Sequence, residues 1–306
     1  MKSFSDFPDE ILHDILAHVF WVDEDVFACP KPMSSLWAVS EATEDGSDTQ
    51  ETQHHDDVTR TAVPLVCKRW LNVSTPLLYE TVFLRTRPQV VCLARTLLSD
   101  YTLGQNIRKL RVECGLGVPV NKILHFAPNI AQFVVELVWE KEEHTIGLGA
   151  GLQAINPSKI VLIQRSMPRY NRRISPLIAE LCQYIPTWTK LTTLRYPYDR
   201  FPSLSSKDIT TALQKIPHLR TLYVQCGYSI DTTLLVSLLG PQGDSITEIY
   251  SEAPLVDNED SRMFLTLAEF SKLRQKVLFP VPGPWSVRPY RACAREDDKL
   301  NLIWTA

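Results

Sequence analysis

The sequence is short of the features that mark several protein classes. No stretch approaches 18 consecutive apolar residues, so no membrane-spanning helix is expected. The first residues include Asp6, Asp9 and Glu10, which interrupt the apolar core that a signal peptide needs. The seven cysteines are scattered and form no Cys-x-x-Cys pair, which argues against a disulfide framework or a zinc site. These absences predict a cytoplasmic or nuclear protein with reduced thiols.

Glycine is scarce, and the chain lacks a strong charge of either sign. The 306 residues include 11 glycines against 21 prolines, which favours many short elements over a few long helices. The net charge is −3, but residues 23–57 hold ten acidic residues and one lysine, a net of −9, so the rest of the chain carries +6. That excess is too mild for a dedicated nucleic-acid binder. A chain of this length is expected to form two units or one elongated unit.

Two segments near the N-terminus have apolar residues at helical spacing. Between Pro8 and Phe20 these residues recur at i, i+1, i+4, i+5 and i+8, which is one face of an amphipathic helix. They are Ile11, Leu12, Ile15, Leu16 and Val19. Pro8 suits the first helical position, because its missing N–H would have no partner there. The second segment, Thr61–Phe83, surrounds the basic pair Lys68–Arg69 with apolar residues, and Pro64 is expected to start or kink a helix within it.

The two segments are separated by residues that are mostly acidic, small and polar. A tract of this composition cannot bury enough apolar surface to offset the entropy lost on ordering. We therefore predict a disordered insertion at about residues 23–60. Its His54–His55–Asp56–Asp57 run is not interpreted as a metal site, because adjacent residues in a flexible tract do not form a preorganised ligand set.

After residue 80, short runs typical of β-strands alternate with helical segments. The predicted strands are Thr81–Leu84, Ile107–Cys114, Gln132–Leu137, Lys159–Ile163, Leu191–Tyr196, Leu219–Val224, Ile246–Tyr250 and Lys276–Phe279. The predicted helices are Gln89–Ser99, Ile174–Tyr184, Lys207–Ile216, Thr232–Leu239 and Ser261–Phe270. From Leu110 onward the centres of the runs lie about 24–33 residues apart, near the strand-plus-helix period of leucine-rich repeats.

The runs also share a residue pattern. Thr187–Pro197 and Ile216–Cys226 both contain a leucine, two further residues and a second leucine, with an aromatic residue close behind. Units of this kind bury their leucine face only against their neighbours, with a parallel strand on one side and a returning helix on the other. We therefore predict an α/β fold in which residues 85–284 form an irregular solenoid that resembles leucine-rich repeats. Residues 285–306 are expected to form a tail whose Leu300–Trp304 run would cap the last unit; a compact, doubly wound α/β enzyme domain is the alternative.

Two motifs in the N-terminal segments resemble the F-box, a three-helix module that docks onto the Skp adaptor of SCF-type ubiquitin ligases. Phe7–Pro8–Asp9–Glu10 matches the Leu/Phe–Pro–x–Glu start of the family's first helix. Leu65–Val66–Cys67–Lys68, followed after one residue by Trp70, matches its later Leu–Val–Cys–Lys–x–Trp motif. Pro76–Leu77–Leu78–Tyr79 then follows, as is usual where an F-box leads into repeats, and is expected to be the hinge into the first strand. Residues 1–84 are thus identified as an F-box-like domain similar to those of expanded fungal families.

The resemblance implies a substrate-recognition subunit rather than an enzyme. In the family, the apolar positions of these helices face the adaptor, which holds the cullin, while the repeats bind a protein substrate. The implied adaptor-binding residues are Phe7, Pro8, Ile11, Leu12, Ile15, Leu16, Leu65, Val66 and Trp70. No catalytic residue, cofactor, metal, nucleic acid or membrane enters this interpretation. Two alternatives stay open: these residues form the core of a helical cap on the repeats, or the chain is an interaction scaffold outside a ligase.

A basic cluster supplies a candidate substrate site. Arg165, Arg169, Arg172 and Arg173 lie in a predicted loop with Tyr170 among them. Arginine binds carboxylates and phosphates well, so the cluster is suited to an acidic or phosphorylated partner segment. The alternative is a solvated loop, or one that rests against the acidic insertion.

The glycine-rich run at residues 147–151 resembles a phosphate-binding loop only superficially. It lacks the final glycine spacing and the Lys–Ser/Thr pair that follow in such loops. We predict a loop between repeats there.

Overall fold

The structure is a computed structural model of the chain. It describes residues 8–28, 60–114, 117–136, 146–163, 174–196, 211–216, 218–224, 246–251, 276–280 and 289–291.

The described strands form one sheet in the order of the chain. They are β1 (Thr81–Leu84), β2 (Lys109–Val112), β3 (Gln132–Glu136), β4 (Lys159–Ile163), β5 (Thr193–Tyr196), β6 (Thr221–Val224), β7 (Glu248–Ser251), β8 (Val277–Pro280) and β9 (Pro289–Arg291). Strands β1 to β7 each pair in parallel with the next strand, and β9 pairs antiparallel with β8. All eight predicted runs coincide with or overlap one of the strands β1 to β8, so these strands are confirmed, whereas β9 was not expected.

Among the described residues, three helices precede β1 and four connect the successive parallel strands β1 to β5. They are α1 (Asp9–Phe20), α2 (Glu24–Ala28), α3 (Lys68–Glu80), α4 (Arg87–Ser99), α5 (Val118–Phe126), α6 (Ile146–Leu152) and α7 (Ile174–Tyr184), with 3-10 turns at Val63–Leu65, Tyr101–Asn106 and Ile185–Thr187. The two predicted helices that correspond to α4 and α7 are confirmed, whereas α5 and α6 were missed. Within Lys207–Ile216, residues 211–214 are helical. The predicted helices Thr232–Leu239 and Ser261–Phe270 lie outside the described residues, as does the predicted cap Leu300–Trp304.

The main core lies between one face of the sheet and helices α4 to α7. Alternate strand residues point into it; in β2 these are Leu110 and Val112, both fully buried. They share the core with Val90 of α4 and with Leu124 of α5. The leucine and valine residues of the strands are thus buried, as their spacing predicted. The α/β class of the fold is confirmed.

A repeated hydrogen-bond step joins each unit to the next. The carbonyl oxygen of Arg108, just before β2, accepts from two successive backbone N–H groups just before and at the start of β3. The carbonyls of Ala131, Ser158, Thr192 and Arg220 do the same for the next four strands. The regular step keeps the strands in register, so each of these units is hydrogen-bonded like the one before it.

The sheet is open and its strand order does not reverse among the described strands. In doubly wound α/β domains, ligands bind in the crevice that forms where the strand order reverses. The described part of the sheet therefore does not provide the crevice expected of the doubly wound alternative.

The N-terminal helical unit comprises α1, the 3-10 turn Val63–Leu65 and α3, and it has a core of its own. The buried residues of that core are Leu12, Leu16, Phe20, Val63 and Leu77. Trp70, Val73 and Leu78 pack against it with part of their surface exposed. The unit is joined directly to the sheet, because α3 ends at Glu80 and β1 begins at Thr81.

Three prolines occupy positions that the sequence did not predict. Pro8 precedes α1 as an extended N-cap residue, so it lies one position before the first helical residue. Pro64 lies buried at the second position of the 3-10 turn Val63–Leu65, so it neither begins nor interrupts α3. Pro76 lies inside α3, so the expected hinge at Pro76–Tyr79 is wrong and the helix continues to the first residue before β1.

Two predicted irregular segments are partly helical. The insertion expected at 23–60 begins with the ordered helix α2, in which Phe27 is fully buried, so disorder from residue 23 is wrong. Residues 29–59 lie outside the described residues, and with them His54–Asp57. The predicted loop at 147–151 is also wrong, because all five residues belong to α6.

Candidate docking surfaces

The helical unit carries a stripe of exposed apolar side chains along α1. Ile11, Ile15 and Val19 follow one another at i, i+4 and i+8, and they are 44%, 49% and 36% exposed. The neighbouring stripe of Leu12 and Leu16 faces inward and is buried. The helix is therefore apolar on a wider arc than its own core requires, and Ile11, Ile15 and Val19 remain in contact with solvent.

Two further exposed apolar residues, Leu65 and Val66, lie beside α1. The chain from Arg60 to Arg69 runs antiparallel to α1, because its two ends contact opposite ends of the helix. The Arg60 guanidinium donates to the carbonyl oxygens of Val19 and Trp21 at 3.3 and 2.8 Å. The Arg69 guanidinium donates to the Asp9 carboxylate at 2.6 Å.

Between those two ends lie Leu65 and Val66, which are 83% and 61% exposed. Leu65 is the last residue of the 3-10 turn and Val66 follows it. Neither side chain belongs to the core that contains Val63. We call Ile11, Ile15, Val19, Leu65 and Val66 the outer apolar surface. Exposed apolar side chains gathered on one small unit are typical of a site for another protein.

The adaptor-binding residues predicted from the sequence divide into two groups. Pro8, Ile11, Ile15, Leu65 and Val66 are exposed, as docking requires.

Leu12 and Leu16 are buried at 5% and 1% exposure, so their predicted docking role is wrong, because they hold α1 against Val63 and α3. Trp70 is half-buried against the same core. Phe7 lies outside the described residues, as do Arg165, Arg169, Arg172 and Arg173.

Two exposed residues of the helical unit were not predicted. Trp21, directly after α1, is 70% exposed, and Leu71 of α3 is 45% exposed. The signal for Leu71 was its place beside Trp70 in the matched motif, but spacing alone does not tell which of two adjacent apolar residues faces inward.

The face of the sheet opposite helices α4 to α7 carries the short helix α2. We call residues 22–28 the cis segment. Its Phe27 is fully buried and packs with Phe83 of β1, Val134 of β3 and Val161 and Ile163 of β4. The rings of Phe27 and Phe83 meet edge to face, with centroids 5.6 Å apart.

Two lysines on the same face bind the carboxylate of Glu24. Lys109 Nζ lies 3.2 Å from one oxygen and Lys159 Nζ 2.5 Å from the other. In the amide orientation that satisfies both of its polar atoms, Gln132 donates to both carboxylate oxygens at 3.2 Å. Burial alone would raise the pKa of Glu24, but the hydrogen bonds and charges of Lys159 and Lys109 outweigh it and hold that pKa below its ordinary value.

Two arginines bind the carbonyl oxygens that α2 leaves unpaired at its C-terminus. Arg111 of β2 donates to the carbonyl of Phe27 at 3.0 Å, and Arg195 of β5 donates to that of Ala28 at 3.2 Å. Arg111 is buried and also pairs with the Glu113 carboxylate at 2.9 Å. The cis segment is thus held by groups from strands β1 to β5.

The same face continues beyond the cis segment with aromatic residues. Tyr223 of β6 and Tyr250 of β7 stack with ring centroids 4.5 Å apart and an angle of 9° between the planes. The Tyr250 hydroxyl lies 3.2 Å from a carboxylate oxygen of Glu248.

The cis segment is not predictable from composition, because residues 23–57 are acidic and polar on average. A local signal was present: Glu24 and Phe27 are three residues apart, which places them on the same side of one helical turn. A second signal lay in the strands, where Lys109 and Lys159 occupy equivalent outward positions of β2 and β4. The two signals are far apart in the chain, so only the fold brings them together.

A further cavity of 330 Å³ lies where the helical unit meets the edge of the sheet. It is lined mainly by apolar residues of α1, α3, β1 and α4, among them Phe20, Leu77 and Leu93, with Arg60 and Arg85 at its polar side. Within the described residues there is no group of three or more His, Cys, Asp or Glu side chains that could hold a metal ion. No helix in that part of the chain is both long and apolar enough to cross a bilayer.

No family model matches this chain, and no curated protein is significantly similar to it.

Proposed function

We propose that the protein is the substrate-recognition subunit of an SCF-type ubiquitin ligase. The observation that carries the proposal is the outer apolar surface, which belongs to a helical unit whose core is already complete. Fully burying one valine, leucine or isoleucine side chain is worth about 1.5–3 kcal/mol, so five such residues support a stable interface after association costs. The motif residues that resemble the F-box lie on this same unit.

The proposal includes an F-box-like module followed by an irregular solenoid. The sequential strand order and the repeated carbonyl step support an irregular solenoid that resembles leucine-rich repeats. The helical unit supports an F-box-like module, since α1 and α3 pack around a shared core. The solenoid would hold a substrate near the ubiquitin-conjugating machinery, so the contribution of this chain to the reaction is proximity.

Adaptor binding tests the proposal directly. Purified full chain is mixed with a purified Skp-type adaptor, and the affinity is measured for the unchanged chain and for Ile15→Asp/Leu65→Asp. A central interface residue is worth about 2 kcal/mol or more, so the double variant is expected to bind at least about 30-fold more weakly.

The matched control is Val91→Asp/Leu98→Asp. These two residues of α4 are 49% and 54% exposed, and they receive the same chemical change on a different part of the molecule. This control is expected to bind the adaptor normally and to show that loss of binding is not a general effect of added charge. Equal binding by the unchanged chain and Ile15→Asp/Leu65→Asp would refute adaptor docking through this surface.

A scaffold that works outside a ligase is distinguished by a second step. A ligase subunit is expected to recruit the cullin through the bound adaptor, in a complex that survives gel filtration. Binding of the adaptor without recruitment of the cullin would favour the scaffold.

A further inference from the structure

We propose that the face of the sheet opposite helices α4 to α7 is a binding surface for an acidic–aromatic protein segment. The cis segment occupies this surface as an internal ligand. The partner would carry a carboxylate and, three residues later, an aromatic side chain within one helical turn. The proposal rests on the proposed function only where it calls that partner a substrate. The surface itself is independent of the adaptor.

The conformation of the cis segment is imposed by the sheet. Helix α2 has five residues, far fewer than the 12–15 or so that an isolated helix needs to be even marginally stable in water. Its order therefore comes from the groups beneath it, which act as a preformed site for one helical turn.

Those groups recognise three different features of the turn. Lys109 and Lys159 take the carboxylate of Glu24, which is one side chain of the turn. The pocket formed with Phe83 takes the aromatic ring three residues later. Arg111 and Arg195 donate hydrogen bonds to backbone carbonyl oxygens, which are present at the C-terminus of any helical turn.

None of these recognition groups belongs to the cis segment, so a partner segment with the same spacing can use all of them. Glu24 and Phe27 make the specific side-chain contacts, while Val22 and Ala28 are buried in the same cluster and the arginine contacts are independent of sequence. The site therefore selects a spacing, acidic then aromatic at i+3, with small apolar residues at the two ends of the segment.

Internal occupancy lowers the apparent affinity for such a partner. A tethered segment competes at an effective concentration on the order of millimolar, and the apparent dissociation constant rises as the fraction of empty sites falls. Only Trp21 separates the end of helix α1 from the cis segment, so the tether is short on that side. A partner thus binds only when it displaces residues 22–28.

The test uses the full chain without adaptor and a fluorescein-labelled peptide with the sequence of residues 20–28. Binding is followed by fluorescence anisotropy. Phe27→Ala in the chain removes the ring that fills the pocket, and this variant is expected to bind the peptide at least about tenfold more tightly than the unchanged chain. Adding Lys159→Glu to Phe27→Ala is expected to remove the gain, because one of the two carboxylate-binding cations is reversed.

Matched controls separate occupancy from general disturbance. Trp21→Ala removes an exposed aromatic residue next to the cis segment and is expected to give no gain. Lys122→Glu, on α5 at the other side of the sheet, is expected to preserve the gain of Phe27→Ala. A peptide that carries Phe27→Ala is expected not to bind.

Circular dichroism reports whether Phe27→Ala keeps its fold. Glu24→Ala provides a second way to weaken the internal occupancy, because it removes the carboxylate contacts but keeps the buried ring; a smaller gain in the same direction is expected. Equal peptide binding by the unchanged chain and by the folded variants would overturn the proposal, as would a gain that Lys159→Glu leaves intact. Adaptor binding is expected to be the same in all these variants, so failure here is distinguishable from failure of adaptor docking.

Discussion

The glycines of α6 let this helix approach its neighbours more closely than side chains would permit. A Cβ atom on Gly147 would overlap the backbone carbonyl of Gly117, at the start of α5. A Cβ atom on Gly149 would instead overlap the carboxylate of Glu180, which is the far end of a flexible side chain on α7. Both positions hold glycine, but a Cβ at Gly147 requires the main chain to move, whereas a Cβ at Gly149 requires only a side chain to move.

Alanine at these two positions is expected to have opposite consequences. Gly147→Ala forces a main-chain shift, and overpacking of this kind costs about 1–3 kcal/mol of unfolding free energy. Gly149→Ala only displaces the Glu180 carboxylate and gains up to about 1 kcal/mol of helix propensity, so its stability is expected to match or exceed that of the unchanged chain. Urea denaturation of both variants makes the comparison, and a Gly149→Ala variant as unstable as Gly147→Ala would contradict it.

Two glutamates have pKa values shifted in opposite directions. The pKa of Glu24 is lowered in the folded chain by Lys159 and Lys109 against the effect of burial, so its contribution to stability is present above pH 4.5 and is lost as pH falls through the folded pKa. Burial raises the pKa of Glu180, so its contribution is present below pH 4.5 and is lost as pH rises through the folded pKa.

Replacement by glutamine is expected to reveal both signs. At pH 7 Glu24→Gln lowers the unfolding free energy, and the difference from the unchanged chain shrinks toward pH 3. Glu180→Gln raises the unfolding free energy at pH 7, with the difference again shrinking at low pH. Thermal or urea unfolding from pH 3 to 7 makes the measurement, and equal curves for all three proteins would contradict both assignments.

At the scale of elements, periodic segments were predictable and contact-dependent ones were not. Strands β1 to β8 and helix α1 were predictable because alternation and helical spacing are properties of the local sequence. The orientation of α1 was not, because Ile11 and Leu12 are both apolar and the packing of α3 decides which is buried. Helix α2 has too few residues for a period, and α6 is rich in glycine, a poor helix former, so packing against α5 and α7 outweighs propensity there.

Helix α4 begins with a capping box that stabilises its first turn. The Thr86 side chain accepts from the backbone N–H of Gln89, and the Gln89 side chain accepts from the backbone N–H of Thr86 at 3.0 Å. Thr86→Ala is expected to lower the unfolding free energy by about 0.5–2 kcal/mol, because one N-terminal N–H of the helix loses its partner. Thr86→Ser keeps the hydroxyl and is expected to be near neutral in the same chemical denaturation. A loss of similar size in both variants would show that the methyl group, and not the cap, is responsible.

At the scale of the whole molecule, the sequential strand order limits how far a local defect spreads. Each interior strand is hydrogen-bonded only to the strands before and after it, so stability is shared mainly between neighbours. The helical unit adds a separate small core around Leu12 and Leu16. A defect in the middle of the sheet should therefore destabilise mainly the neighbouring strands, and a defect in the helical unit should destabilise mainly that unit.

Hydrogen exchange of two core variants tests this division. Leu162→Ala empties a buried site in β4 and Leu12→Ala one in α1, and each substitution of this kind costs about 2–5 kcal/mol. In Leu162→Ala, protection is expected to fall most in β3 to β5 and least in α1 and α3. In Leu12→Ala the loss is expected in α1 and α3, with β4 and β5 protected as before. Both variants are followed by mass spectrometry of the full chain at neutral pH. An equal loss of protection everywhere in both would mean that the chain opens as one cooperative unit, because only then does a cavity in one core weaken the other.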